Sequence, residues 1–447
     1  MEIKSRSAVV MLSLLLCFMS AGLQASPRIL QWHTKQGTPV YFVESKQLPI
    51  VDVRIIFDAG SARDKGHAGL AVLTNALLAE GAAEKPAQQI AEQFEDVGAQ
   101  FANGALRDMA WLSLRSLRND RYLQPALTTL KDVLSKPTFS EESFQRELAN
   151  LKISRKAAKQ SPETLATEAF YKALYGDHPY ASVVNGDDAS LEAMQRKQVL
   201  NFYDRYYVSS NAVIAIVGQL SRAQAENIAN DLMSGLKRGI KIPALPQVKN
   251  LDAAQTIKID FPSKQSHIMM GQPGTQRGDK DYFALYVANH PFGGSGFSSR
   301  LVDEIREKRG LAYSVHSYFS PSRELGPFLI GMQTKNEQTD QALSLLKAEL
   351  HKFWQQGPSE HELESSVKNI TGGFPLRIDS NKKVVEYLSM IGFYHLPLDY
   401  LHNFNRRIEA VTLDEIKSAL KRRLNPEKMI TVIVGGETHN SQTKADQ

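Results

Sequence analysis

The 447-residue sequence has a single cysteine, Cys17, which lies in an apolar run near the N-terminus. A chain cleaved behind that run would have no disulfide and no thiol nucleophile. Leu16, just before the cysteine, is not the small residue that a lipoprotein site needs. No G-x-S-x-G nucleophile elbow occurs, and GGSGFS at residues 293–298 lacks the lysine of a phosphate-binding loop. The net charge of +5 includes no long basic run, so neither nucleic acid nor an anionic membrane is expected as a partner.

The N-terminal segment predicts export. Lys4 and Arg6 precede an apolar run at residues 8–19, and small residues follow as far as Ala25. This order is typical of a secretory signal peptide. The run is short for a transmembrane anchor, which is the alternative. We therefore predict a signal peptide at residues 1–25 and no membrane span after its cleavage. The periplasm is the expected destination, with an extracellular or organellar one as the alternatives.

The rest of the chain repeats itself. SEESFQRELANLK at residues 140–152 resembles SEHELESSVKNIT at 359–371, and residues 208–220 resemble residues 425–437. The two offsets, 219 and 217 residues, are nearly equal. A helix and a strand that recur at one offset indicate the duplication of a unit of about two hundred residues. Each half mixes strand-like and helical segments, which is an α+β pattern.

The length also requires more than one ordinary core. We predict an N-terminal domain at residues 26–238 and a C-terminal domain at residues 251–437. Residues 239–250 hold two prolines and show no helical period, so they are predicted to be the linker. Residues 438–447 are predicted to be a polar tail.

The most informative stretch is residues 292–315, FGGSGFSSRLVDEIREKRGLAYSV. Its pattern predicts a glycine-rich entry, a helix capped by Ser298 or Ser299, a break at Gly310, and a strand at residues 311–315. Arg306 and Tyr313 stand seven apart across the break. Spacing alone is consistent with a surface arginine and a core tyrosine, or with two polar groups that meet at one point.

This stretch resembles the second-half signature of the pitrilysin/insulinase family of inverted-zincin metallopeptidases. Further matches are FDAGSARD, AEQFEDVGAQFA and the run from TFSEESFQREL to YGDHPYA. The resemblance implies two similar α+β domains, each an antiparallel sheet packed with helices, which together form half of a clamshell. It also implies that Arg306 and Tyr313 bind substrate backbone opposite a zinc ion. A third implied substrate-binding residue is Asn103, on a strand-like segment at residues 100–105 that would pair with extended peptide.

Active members of that family carry H-x-x-E-H on a helix and a third ligand, a glutamate, some seventy-five residues later. This sequence has no H-x-x-E-H. Alignment on G-L-A, in a helix predicted at residues 67–81, places Val72 and Ala76 at the histidine positions and Asn75 at the general base. Alignment on TFSEESFQREL places Ser154 at the third ligand. We therefore expect no metal site, no catalytic residue and no cofactor in this chain.

The resemblance implies a partner, because the chain keeps the arginine and the tyrosine but has lost the metal ligands. The first hypothesis is a non-catalytic subunit that lends Arg306 and Tyr313 to a zinc-bearing peptidase chain of the same family in a heterodimer. Self-association is the alternative pairing, and peptide is the expected substrate. The second hypothesis is a structural or peptide-binding scaffold without a proteolytic role, and the third is a hydrolase with an unrecognised site.

Overall fold

The computed structural model describes residues 27–436. The predicted signal peptide, residues 1–25, and the predicted tail, residues 438–447, lie outside the described residues. Between residues 27 and 436, no helix has the length and apolar character that a membrane crossing requires.

Strands and helices follow one another in two similar series. In chain order the strands are β1 (Leu30–His33), β2 (Pro39–Glu44), β3 (Ile50–Phe57), β4 (Gly81–Ala82), β5 (Lys85–Pro86), β6 (Gln100–Ala105), β7 (Ala110–Leu117), β8 (Ala212–Gly218), β9 (Gln255–Ile259), β10 (Ser263–Thr275), β11 (Ser314–Phe319), β12 (Gly326–Lys335) and β13 (Ile430–Gly436). The α-helices are α1 (Leu70–Leu77), α2 (Ala87–Glu95), α3 (Asp120–Ser135), α4 (Glu141–Ala158), α5 (Pro162–Tyr175), α6 (Asp188–Ala193), α7 (Arg196–Tyr206), α8 (Arg222–Ser234), α9 (Tyr282–Asn289), α10 (Thr339–Gln356), α11 (Glu360–Gly373), α12 (Asn381–Phe393), α13 (Tyr400–Glu409) and α14 (Leu413–Arg423). Two π-helical segments, His290–Gly294 and Val302–Glu307, lie between α9 and β11.

The five strands of the second large sheet are arranged like five of the six strands of the first, in which β1 is additional. The first has the order β1-β2-β8-β3-β7-β6, and the second, read from its other edge, has the order β9-β13-β10-β12-β11. In each sheet one pair is parallel, β2 with β8 and β9 with β13, and the remaining pairs are antiparallel. The repeated sequence segments form equivalent elements, α4 with α11 and β8 with β13. The predicted α+β class is confirmed, and this equivalence supports an internal duplication.

Each sheet is covered on one face by a helix from the other half of the chain. Helix α12 packs on β8, β3 and β2, whereas α5 packs on β13 and β10. The approach of α12 is close, because a Cβ added at Gly392 would lie 2.5 Å from Tyr41 Cε2 and 2.6 Å from Val213 Cγ1. Residues 239–250, the predicted linker, contain no helix or strand. The two halves therefore share their cores as well as the connecting segment.

Candidate functional site

Helix α1, which corresponds to the zinc-motif helix, is shorter than the predicted 67–81. It spans Leu70–Leu77. The Asp64 carboxylate accepts hydrogen bonds from the backbone N–H groups of Gly69, at 3.0 Å, and Ala71, at 2.9 Å. Gly69 has φ of 90°, which glycine adopts without steric cost. Burial raises the pKa of Asp64 well above its usual range. This cap fixes where the helix begins.

The side chains at the predicted ligand positions do not fit zinc. Val72 and Ala76 are partly buried, four residues apart on α1, and Ser154 is exposed on α4. Structural and catalytic zinc sites take nitrogen, sulfur or carboxylate ligands from at least three residues. Valine and alanine offer none of these atoms. Within residues 27–436, no group of three or more His, Cys, Asp or Glu side chains could hold a metal ion.

Asn75, at the general-base position, is part of the core. It is 1% exposed. Its Nδ2 lies 3.2 Å from the Tyr207 hydroxyl and 3.4 Å from the Trp111 carbonyl oxygen. Its backbone carbonyl accepts a 2.6 Å hydrogen bond from Asn103 Nδ2. Burial raises the pKa of Tyr207, so this phenol stays protonated in the core. Asn75 therefore joins α1 to α7 and to the first sheet, and it has no access to an attacking water.

The turn between Arg306 and Tyr313 is held by backbone hydrogen bonds. Arg306 lies in the π-helical segment Val302–Glu307, which is followed by Gly310 with φ of 62°. The Gly310 N–H donates to the Arg306 carbonyl at 2.9 Å, and the Tyr313 N–H donates to the Gln333 carbonyl at 2.8 Å. The second bond attaches the turn to β12. Both residues thus have a fixed backbone position.

Two local predictions for this stretch are wrong. Neither Ser298 nor Ser299 caps the helix. The Ser298 hydroxyl donates to the Ser295 carbonyl at 3.3 Å and the Ser299 hydroxyl to the Gly296 carbonyl at 2.8 Å, because a tight turn precedes the helix. The strand predicted to start at residue 311 starts only at Ser314.

The side chains of Arg306 and Tyr313 face solvent. Tyr313 is 71% exposed, so the interpretation of it as a core residue is wrong. Phe297 is also exposed, at 77%, and the Arg306 guanidinium carbon lies 5.1 Å from its ring centroid. The only ion pair of Arg306 within residues 27–436 is with the adjacent Glu307, at 3.5 Å. The turn at Gly310 is thus preceded by the exposed ring of Phe297 and the cation of Arg306, and it is followed by the exposed ring of Tyr313.

The other basic side chains of the stretch have structural partners. Arg300 forms an ion pair with Glu362 of α11. Lys308 and Arg309 both bind Glu304, at 2.7 Å each, and these bonds lower the pKa of Glu304 to about 2. Arg306 differs from these residues, because its ion-pair partner in the described part of the chain is only the adjacent Glu307.

The outer edge of the first sheet is available to another strand. Strand β6 is the terminal strand, and its pairing with β7 points the backbone N–H and C=O groups of Phe101, Asn103 and Ala105 away from the sheet. The equivalent edge, β11, is capped, because Asn289 Nδ2 donates to the Ser317 carbonyl at 2.8 Å. Asn103 uses its side chain to hold β6 against α1. The structure thus places Asn103 beside Asn75 in the first half of the chain. Arg306 and Tyr313 lie just before β11, which belongs to the second sheet.

Sequence reasoning missed a polar cluster between the halves. Arg323, in the loop before β12, donates to Asp58 Oδ2 at 2.7 Å and through its backbone N–H to Asp108 Oδ2 at 2.8 Å. The hydroxyls of Tyr180 and Tyr394 also donate to Asp108, at 2.5 and 2.9 Å. Asp58 lies in the FDAGSARD match and Tyr180 in the YGDHPYA match, and these two matches were the available signals. The cluster joins residues more than two hundred positions apart.

Two family profiles match the chain side by side. "Insulinase (Peptidase family M16)" matches residues 40–188, and "Peptidase M16 inactive domain" matches residues 193–370. Together they cover most of the chain. The second profile begins before the predicted linker.

Three known proteins illustrate the similarity. A crystal structure of a peptidase M16 inactive domain from Pseudomonas fluorescens has a TM-score of 0.88 and 39% identity, covering 92% of this chain and 98% of its own. The "Non-peptidase homolog YmxG" of Helicobacter pylori is 24% identical over 420 residues, which are 93% of this chain and 96% of the homologue. An "Uncharacterized zinc protease" of Rickettsia felis is 26% identical over 338 residues, which are 75% of this chain and 80% of that protein.

The family signature, the two equivalent sheets and these matches agree with one another. The positions of the zinc ligands and of the general base hold two apolar side chains, a buried amide and a serine. The chain therefore belongs to the insulinase family, peptidase family M16, as a non-catalytic member.

Proposed function

We propose that this chain is a non-catalytic subunit that completes the active site of a zinc-bearing peptidase of the same family. In this proposal Arg306 and Tyr313 bind the peptide substrate, and the partner chain provides the zinc ion and the general base. We also propose a periplasmic location for the pair, which the predicted signal peptide at residues 1–25 supports.

The observation that carries the proposal is the state of these two side chains. Tyr313 is largely exposed and makes no side-chain hydrogen bond to another residue in the described part of the chain, although its backbone is anchored to β12. Between residues 27 and 436, Arg306 has only its sequence neighbour Glu307 as an ion-pair partner, whereas Arg300 and Arg309 form ion pairs with Glu362 and Glu304. A residue can bind a ligand when its backbone is fixed and its side chain makes few contacts within its own chain. Arginine donates to carbonyl oxygens or carboxylates, and a phenol donates to a carbonyl or an oxyanion.

The free edge of β6 supports the peptide as the ligand. Backbone groups at Phe101, Asn103 and Ala105 can pair with an extended peptide, and this mode of recognition accepts varied sequences. Because β11 is capped at Ser317, the second sheet does not offer an equivalent edge. Asn103 in this proposal contributes through its backbone, since its amide is bonded to α1.

The second candidate is a peptide-binding or structural scaffold without a part in cleavage. The open β6 edge alone would serve it, and the name of the non-peptidase homologue from Helicobacter pylori is compatible with it. It leaves the exposure of Tyr313 and Phe297 unexplained. The two candidates differ in whether Arg306 and Tyr313 affect a partner's turnover.

The test is hydrolysis of a quenched fluorescent peptide. The purified chain is assayed alone and mixed with a secreted H-x-x-E-H chain of the same family, each with and without a metal chelator. The expected result is activity only in the mixture, abolished by the chelator. A partner that is fully active alone, with no gain on mixing, would favour the scaffold. Chelator-sensitive activity of the purified chain alone would overturn the non-catalytic assignment.

A further inference from the structure

A small cavity lies between α4, α5 and the segment from residue 181 to residue 186. Its volume is about 190 Å³, roughly six water molecules at about 30 Å³ each. This is below the roughly 300–1,000 Å³ of pockets that take drug-sized ligands. Arg107, Arg155 and Glu168 are its charged lining residues. The size suits a small ion rather than a cofactor.

Arg107, in the loop between β6 and β7, is a cation without a carboxylate partner. Its Nη1 donates to the carbonyl oxygens of Tyr180 and Ser182, the latter at 3.0 Å. Its guanidinium carbon lies 4.1 Å from the ring centroid of Tyr171. No salt bridge joins Arg107 to an acidic side chain within residues 27–436. The guanidinium is therefore held in place by neutral groups, and no carboxylate of the described residues forms an ion pair with it.

Arg155, on α4, pairs closely with one carboxylate and more loosely with a second. Its Nη1 lies 2.6 and 2.7 Å from the two carboxylate oxygens of Glu168 on α5, and its Nε is buried without an acceptor. Asp188 lies further away, at 3.8 Å from that nitrogen. The lining itself holds two guanidinium groups and one carboxylate, and Asp188 stands beside Arg155 outside this lining.

The carboxylates nearest to Arg107 are committed to other donors. Asp64 caps α1, and Asp108 accepts from the hydroxyls of Tyr180 and Tyr394. Burial lowers the pKa of Arg107, because the protein removes water that would solvate the charge. An anion in the cavity would replace that lost solvation.

Neutral donors complete the lining. The hydroxyls of Ser154 and Thr164 and the side-chain amide of Asn185 line the cavity, and none of them donates to another residue in the described part of the chain. Ser154 stands where the resemblance implies a glutamate in active relatives, and a carboxylate there would repel an anion. We propose that the cavity binds a small oxyanion, a carboxylate or a phosphate, between Arg107 and Arg155. Guanidinium groups match both anions, since their planar fork can donate two parallel hydrogen bonds.

This proposal is independent of the partner subunit, and it is tested on the purified chain. Isothermal titration calorimetry and thermal unfolding are measured with sodium phosphate, sodium acetate and sodium chloride at one pH and one ionic strength. We expect saturable binding and a saturable rise in Tm with phosphate or acetate, and none with chloride. Loss of a charge-assisted hydrogen bond corresponds to about a tenfold to hundredfold weaker Kd.

Variants locate the site. Arg107→Lys should weaken binding at least tenfold, and Ser154→Ala with Thr164→Val should weaken it severalfold while both arginines are retained. Arg118→Lys is the matched control, because Arg118 is partly exposed and donates to the Gln219 carbonyl away from the cavity. If Arg107→Lys does not fold, the double variant alone carries the test. No saturable binding of either anion, or equal binding by the wild type and the variants, would overturn the proposal.

A second pair of probes distinguishes the sources of the anion. A short peptide with a free C-terminal carboxylate is compared with the same peptide as its C-terminal amide. If only the free acid competes with phosphate, the site takes peptide termini. If neither peptide competes, the site takes inorganic phosphate or a small free anion.

Discussion

The Asn75 amide and the Tyr207 phenol are hydrogen-bonded at 3.2 Å inside the core of the first half. This pair stands where an active relative would have its general base, and it connects α1 to the end of α7. The side chain at this position therefore packs in the core and does not act as a general base. A carboxylate introduced there would be buried away from water, which costs solvation free energy.

Asn75→Glu should destabilise the chain by about 3 kcal/mol or more, because a carboxylate would be buried beside a phenol with no cation near it. The free energy of unfolding in urea measures this. Ala76→Glu is the control, since Ala76 is adjacent on the same helix but partly exposed, and we expect a loss of about 1 kcal/mol there. Equal losses at the two positions would mean that the burial of Asn75 is not the cause.

Arg306→Ala combined with Tyr313→Phe should lower kcat/KM of the mixed peptidase about a hundredfold to ten-thousandfold, since each of the two lost charged or oxyanion hydrogen bonds is worth about 1.5–3 kcal/mol. The variant should still associate with the partner, which gel filtration checks. Arg309→Gln is the control, because Arg309 is already paired with Glu304. Normal turnover by the double variant would remove the role proposed for both residues.

Gly392→Ala should destabilise the chain by about 1–3 kcal/mol, because the new methyl group would collide with Tyr41 and Val213 on the first sheet. Gly372→Ala is a matched control on α11, where an added Cβ meets no atom within 4 Å. That change should stabilise by about 0.4–1 kcal/mol, since it reduces the entropy of the unfolded chain. The contrast fails if both alanines shift the urea midpoint in the same direction.

Glu362→Gln should show a stability difference that depends on pH. Burial alone would raise the pKa of Glu362, but Arg300 and the cap at Ser359 lower it from 4.5 to about 2. A lowered folded-state pKa contributes stability above the unfolded value of 4.5, and this contribution is lost as pH falls through 2. After allowance for partial exposure we expect about 2 kcal/mol at pH 7 and less than half of that at pH 3. Urea unfolding of both proteins at four pH values measures the difference, and a constant difference would exclude the ion pair as its source.

The sequence predicted what depends on local pattern. Ser140 and Ser359 begin equivalent helices because a serine side chain can cap the first turn, and both side chains do so. Gly310 ends the helix of Arg306 as expected. The identities of Val72, Ala76 and Ser154 were sufficient to argue that zinc has no ligands here.

Long-range contacts were not predictable from one sequence. Asn75 is buried because it meets Tyr207, which lies 132 residues away along the chain. Arg323 meets Asp58 across 265 residues, and no local spacing carries that information. Tyr313 resembles a core residue in the pattern LAYSV, but the chain enters its strand only one residue later and leaves the phenol in solvent.

The exchange of α5 and α12 between the two sheets limits how this gene can have changed since its duplication. Either repeat without the other would leave an apolar sheet face uncovered, so neither repeat could be discarded or passed to a separate protein. Val72, Ala76 and Ser154, at the zinc-ligand positions, are partly buried or exposed and do not hold the two repeats together, whereas Asn75 at the general-base position is part of the core. Side chains at the zinc-ligand positions could therefore be replaced one at a time. The two repeats, in contrast, had to be kept together, because each covers a sheet of the other.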